Sequence, residues 1–187
     1  MSLQRWQESI AWTDSDGAAV ANTVTETIIF PDVTVPANYM QYGRGLRLNA
    51  KGKLSVNTAT TPTVRFRLRW GGVAGVLLWD SGLITNGSGV TNALWALEIF
   101  MQTRLNGATG TILAMGECLV GSAAAPSVGS ATGAPAFGSY GSGGDDSPAA
   151  VTVNLTIDKA LSLSVEWGTA HANNTLTGMI YHLESLN

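Results

Sequence analysis

The stretch from Pro62 to Gly82 constrains this chain more than any other. Within it Val64, Phe66, Leu68 and Trp70 alternate with Arg65, Arg67 and Arg69. Successive side chains of a β-strand point to opposite faces, so this alternation specifies a strand with one apolar face and one cationic, wet face. Gly71 and Gly72 then turn the chain, and Val76 to Trp79 reads as a returning strand that stops at Asp80-Ser81-Gly82.

The rest of the chain repeats this order of short strand, turn, short strand. Strand-like runs cover Val24–Phe30, Val33–Val35, Gly45–Val56 (around turn residues Lys51-Gly52), Leu94–Leu105, Thr111–Val120, 151–157, 161–167 and Thr175–Leu186. In the run from Leu94, residues Trp95, Leu97, Ile99 and Met101 share one face. Turn signals between the runs include Asn86-Gly87 and Asn106-Gly107. Eight or nine substantial strands and no helical period predict an all-β chain. The expected fold is an antiparallel β-sandwich, jelly-roll-like in its strand number. Trp70, Trp79, Trp95 and Trp167 fall at alternating strand positions, which assigns them to the core rather than to a sugar-stacking platform.

Two segments depart from the pattern. Residues 1–22 carry Trp6, Ile10 and Trp12 in a polar context, ending at Asp14-Ser15-Asp16-Gly17, and read as an N-terminal arm rather than a strand of the main body. Its large apolar groups either tuck onto the chain's own barrel or anchor in a partner. Residues 121–150 are rich in Gly, Ser, Ala and Pro, with Phe137 and Tyr140 as their only aromatics. Such a composition buries little apolar surface alone, so this insert reads as a long loop or an arm ordered against a neighbour. Residues 23–187 then form a single β-sandwich domain with 121–150 inserted.

Composition narrows the function classes. Charged residues make up 12% of the chain, about half the usual share, and the net charge is −3. That balance argues against a dedicated nucleic-acid binder. No apolar run reaches the ~18 residues of a membrane-spanning helix, and the polar N-terminus carries no secretory signal. The single cysteine, Cys118, lies in an apolar run and reads as a buried, inert thiol. Seven of the ten basic residues lie between Arg44 and Arg69, while no acid occurs between Asp32 and Asp80. Two arrangements account for this: cross-strand Arg–Glu pairs on a solvated sheet face, or a basic face that docks on an acidic neighbouring subunit.

The catalytic search yields no constellation. His171 and His182 lack metal-ligand spacing, no Gly-x-Ser-x-Gly elbow occurs, and there is no phosphate-binding glycine loop. Asp14-Ser15-Asp16-Gly17 opens like a calcium loop but has no later ligands and reads as a turn. No catalytic residue, metal site or cofactor is expected. The candidate interface residues are Trp6, Ile10, Trp12, Arg65, Arg67, Arg69, Phe137 and Tyr140.

Several motifs occur in a recognisable order. Arg67-Leu68-Arg69-Trp70-Gly71-Gly72 is followed by Leu78-Trp79-Asp80-Ser81-Gly82 and Trp95-Ala96-Leu97-Glu98. Gly107-Ala108-Thr109-Gly110-Thr111, Ala114-Met115-Gly116, Trp167-Gly168-Thr169-Ala170 and Asn174-Thr175-Leu176-Thr177 come later. This order resembles jelly-roll virion proteins of tailed bacteriophages, of the head-decoration, head-fibre and tail-associated kinds, over residues 24–120 and 150–187. The resemblance implies a non-enzymatic structural protein, often a homotrimer, bound to the major capsid protein or other virion proteins. It would be made in the host cytoplasm and reside on the outer capsid surface or the tail, with no nucleic acid or membrane as partner. A capsid decoration protein is the leading expectation, and a tail or receptor-binding component presenting the 121–150 loop to the host is the alternative.

Overall fold

A computed structural model describes residues 7–59, 61–121, 136–141 and 149–186. The described residues form an all-β sandwich of two antiparallel sheets with no helix. In chain order the strands are β1 (Gln7–Trp12), β2 (Val20–Ala21), β3 (Thr27–Ile28), β4 (Val33–Val35) and β5 (Gly45–Ser55). Then come β6 (Thr63–Trp70), β7 (Val76–Asp80), β8 (Ile84–Thr85), β9 (Ala93–Leu105) and β10 (Gly110–Val120). The last four are β11 (Ala136–Gly141), β12 (Val151–Val153), β13 (Lys159–Trp167) and β14 (Thr175–Leu186).

The larger sheet has eight strands, ordered β1-β14-β5-β9-β10-β11, with β12 also on β10 and β2 also on β14. The smaller has six, ordered β3-β13-β6-β7, with β4 on β13 and β8 on β6. The alternation in β6 reaches its expected outcome: Val64, Phe66, Leu68 and Trp70 are at most 3% exposed, and the arginines between them face outward. Gly71 and Gly72 make the β6–β7 turn with φ of 104° and 82°, a left-handed conformation open to glycine at little cost.

The core is built where the sheets meet. Trp95 of β9 packs on Phe66 of β6 with ring centroids 5.1 Å apart, so this aromatic pair joins the two sheets. Phe30 lies 5.1 Å from Tyr181 and 6.5 Å from Trp95. Trp70, Trp95 and Trp167 are buried and each donates its indole N–H to a backbone carbonyl, of Asn154, Thr177 and Val20 respectively. A buried indole needs that partner, which makes these rings part of the framework. Cys118 is buried, and its apolar surroundings push the thiol pKa up to about 12.

Three expectations need correction. Residues 7–12 of the arm form strand β1, paired antiparallel with the last strand β14, because β14 would otherwise leave its backbone groups open along that edge. Within the 121–150 insert, residues 136–141 form β11 on the free side of β10. Lys51-Gly52 is not a turn, since β5 runs through it unbroken. Gly52 serves instead as a gap: a Cβ there would lie 2.0 Å from the Thr177 carbonyl oxygen and 2.7 Å from the Trp95 indole nitrogen.

Candidate functional site

The arginines singled out in the sequence lie on the outer face of the six-stranded sheet. Arg65, Arg67 and Arg69 project there from β6, and acids from three other segments meet them. Arg65 Nε donates to both carboxylate oxygens of Asp80, at 2.7 and 2.8 Å. Arg67 reaches Glu26 at 2.8 Å and Asp80 at 3.3 Å, and also pairs with Glu166. Arg69 holds Glu26 through two bonds, of 2.6 and 2.8 Å, and the Ser164 hydroxyl donates to the same carboxylate.

Burial by itself would raise the Glu26 pKa. The hydrogen bonds from Arg69 and Ser164, with the charges of Arg69 and Arg67, outweigh it and hold this carboxyl below the ordinary range. Burial likewise opposes the charge on Arg67, but its Glu166 bond and the surrounding carboxylates raise its pKa further. The cross-strand pairing expected as one of two arrangements is therefore what the fold contains. The positive charge of β6 is met inside the chain, by acids distant in sequence.

A second polar cluster ties β1 to the larger sheet. Glu184 of β14 accepts from Arg47 Nε at 2.9 Å and from the Gln7 side chain, and lies 3.0 Å from His182 Nδ1. Ser9 Oγ is 2.8 Å from His182 Nε2. Burial pushes the Glu184 carboxyl up, and the bonds from Arg47 and Gln7, with the charges of Arg47 and His182, pull it below its ordinary value. Of the arm's apolar residues, Ile10 packs against the core while Trp12 is 68% exposed. Trp6 lies outside the described residues. Phe137 and Tyr140 are placed on β11 by its backbone pairing, opposite Leu119 and Gly116.

The outer face of the eight-stranded sheet is the surface that sequence reasoning missed. Its register sets Arg47, Phe100 and Met115 in one row, Asn49, Glu98 and Glu117 in the next, and Lys51, Ala96 and Leu119 in the one after that. Phe100 and Met115 are opposite one another and each 47% exposed, with Leu94 and Ile180 also open on this face. The signal was present in the sequence as apolar residues at off-phase positions, Leu94 and Phe100 in the Trp95–Met101 alternation. Glu98 and Glu117 also stand directly opposite each other here; Arg47 is 4.0 Å from Glu98, while Glu117 has no ion pair among the described residues.

At one end of the sandwich, the segments after β5, before β9 and before β14 border an open, shallow cleft of about 360 Å³. Asn57, Asn173 and neighbouring threonines line it. Among the described residues, no group of three His, Cys, Asp or Glu is placed to hold a metal ion.

No protein-family model matches this chain, and no curated protein matches it in sequence. Among solved structures the chain is similar to the CBM2 module of the evolved Dit of Lactobacillus casei BL23 phage J-1. That similarity has a TM-score of 0.39 at 9% sequence identity and covers 99% of this chain and 98% of that one.

Proposed function

We propose that this chain is a non-enzymatic structural protein of a tailed-bacteriophage particle, and specifically a capsid decoration protein. In this reading it binds the outer head surface, bridges neighbouring capsomers and so stabilises the shell. The observation that carries the reading is the open apolar strip of Phe100 and Met115 on a wide, strand-paired sheet face. Exposed apolar groups in a row are costly to a solitary protein and suit a surface covered on assembly. The resemblance of the motif order to that of phage virion proteins supports this kind of assembly. Self-association into a homotrimer through this face and contact with the major capsid protein belong to the same proposal. Multivalent attachment of a trimer sums modest single contacts into tight binding.

A cryo-EM map of the native particle tests the proposal. Many copies at symmetry axes of the outer shell are the expected result. Absence from every particle overturns it.

The second reading is a tail or receptor-binding component, favoured by the cleft of uncharged polar side chains at the loop end of the sandwich. A handful of copies confined to the tail decides for it.

A further inference from the structure

We propose that the cleft at the loop end of the sandwich is a binding site for a neutral saccharide. Its walls are held from within. Asn57 is 3% exposed and Asn174 is fully buried, and the backbone N–H and side-chain amide of Asn57 both donate to Asn174 Oδ1, at 3.1 and 3.0 Å. Asn174 Nδ2 in turn donates to the Thr169 carbonyl at 3.1 Å, and Asn57 Oδ1 accepts from Ala59 N at 2.9 Å. Two backbone bonds fasten the third wall: Val56 N to Val90 O at 2.8 Å and Gly89 N to Asn57 O at 2.7 Å. The buried bonds from Asn57 to Asn174 join two chain segments far apart in sequence and the backbone bonds add the third, which spares a ligand the cost of ordering them.

The groups aimed outward from that frame are of one chemical kind. Thr58, Thr91 and Asn173 are exposed on the cleft, and their side chains make no hydrogen bond among the described residues. No charged side chain lines the cleft. A phosphate, carboxylate or amine would therefore find no counter-charge there. Hydroxyl and amide side chains both donate and accept, which matches the hydroxyls of a sugar, each also donor and acceptor. The volume sits at the lower end of small-ligand clefts, which run from roughly 300 to 1,000 Å³, and so suits a short saccharide. With no aromatic platform in the lining, binding falls on the millimolar scale, about 1 mM. The inference concerns the isolated chain, so it goes beyond the virion reading and does not depend on it.

The test is a heteronuclear NMR titration of the full chain with neutral oligosaccharides of glucose, galactose, mannose and N-acetylglucosamine. A sialylated oligosaccharide serves as the charged control. The expected result is a saturable shift with at least one neutral sugar, confined to residues 55–58, 89–91 and 172–175. Asn173→Ala combined with Thr91→Val should weaken that binding about tenfold or more, with the remaining resonances unmoved because both side chains are exposed. No saturable shift with any neutral sugar at about 10 mM overturns the proposal. Shifts mapping elsewhere, binding indifferent to the double variant, or binding of the charged control alone overturn it too. A particle-location experiment reads none of these outcomes, so the virion proposal stands or falls separately.

Discussion

Gly52 and Glu26 show how single residues set the limits of this fold. Trp95 spans the core and needs its ring against the β5 backbone, so Gly52→Ala places a methyl group inside contact distance of both the indole and the Thr177 carbonyl. We expect a loss of about 2–4 kcal/mol, read from urea unfolding, because the nearest obstacle is backbone and has little room to yield. Glu26 is bonded to two arginines and a serine, and its carboxyl is held below the usual range. The native state then binds fewer protons than the unfolded chain just below the ordinary carboxyl pKa of 4.5. Its stabilisation is complete above that value and is lost as pH falls through the lower, native pKa. Glu26→Gln should cost roughly 1–3 kcal/mol at neutral pH. The variant should also lose less stability than the parent between about pH 5 and pH 3, measured as the shift in urea midpoint.

Among the elements, the first strand carries a sharper prediction than an arm would. Strand β1 adds a rank of backbone bonds to β14, buries part of Ile10 and closes Glu184 with Gln7. Deleting residues 1–12 removes an edge strand and leaves the aromatic core between β6 and β9 untouched. The truncated chain should keep its β-sheet circular dichroism and melt about 2–4 °C lower, the shift expected for ~1 kcal/mol in a domain of this length. On the proposal above it should also fail to attach to its particle. Complete unfolding would make β1 part of the essential core.

At the scale of the whole molecule, the outer face of the eight-stranded sheet is the surface through which the proposed trimer forms. Phe100 is 47% exposed, so Phe100→Asp should leave the melting temperature of the isolated chain nearly unchanged while shifting it from trimer to monomer in light scattering. A parent chain that is already monomeric at high concentration removes the trimer. The Arg65–Arg67–Arg69 network predicts the opposite behaviour. Its charges are satisfied internally, so breaking it costs stability rather than assembly.

Much of this was legible in the chain itself. Alternation at period two in 63–70 and 93–105 determined the strands and their buried faces, because a pleated backbone separates odd from even positions whatever surrounds it. The placing of Trp70, Trp79, Trp95 and Trp167 in the core followed from the same alternation, and the buried thiol from the apolar run around Cys118. Strand pairing across long separations lay beyond it. That residues 7–12 lie along 182–186, and that Glu26 and Glu166 close on Arg67, depends on which edges remain open once the sheets assemble. Local pattern carries no information on that choice. For the same reason Gly52 looked like a turn: a glycine's sequence neighbours do not reveal that an indole from another strand needs the space. The loop-end cleft was also decided by the tertiary structure alone, since Asn57, Thr91 and Asn173 meet only when the sandwich closes.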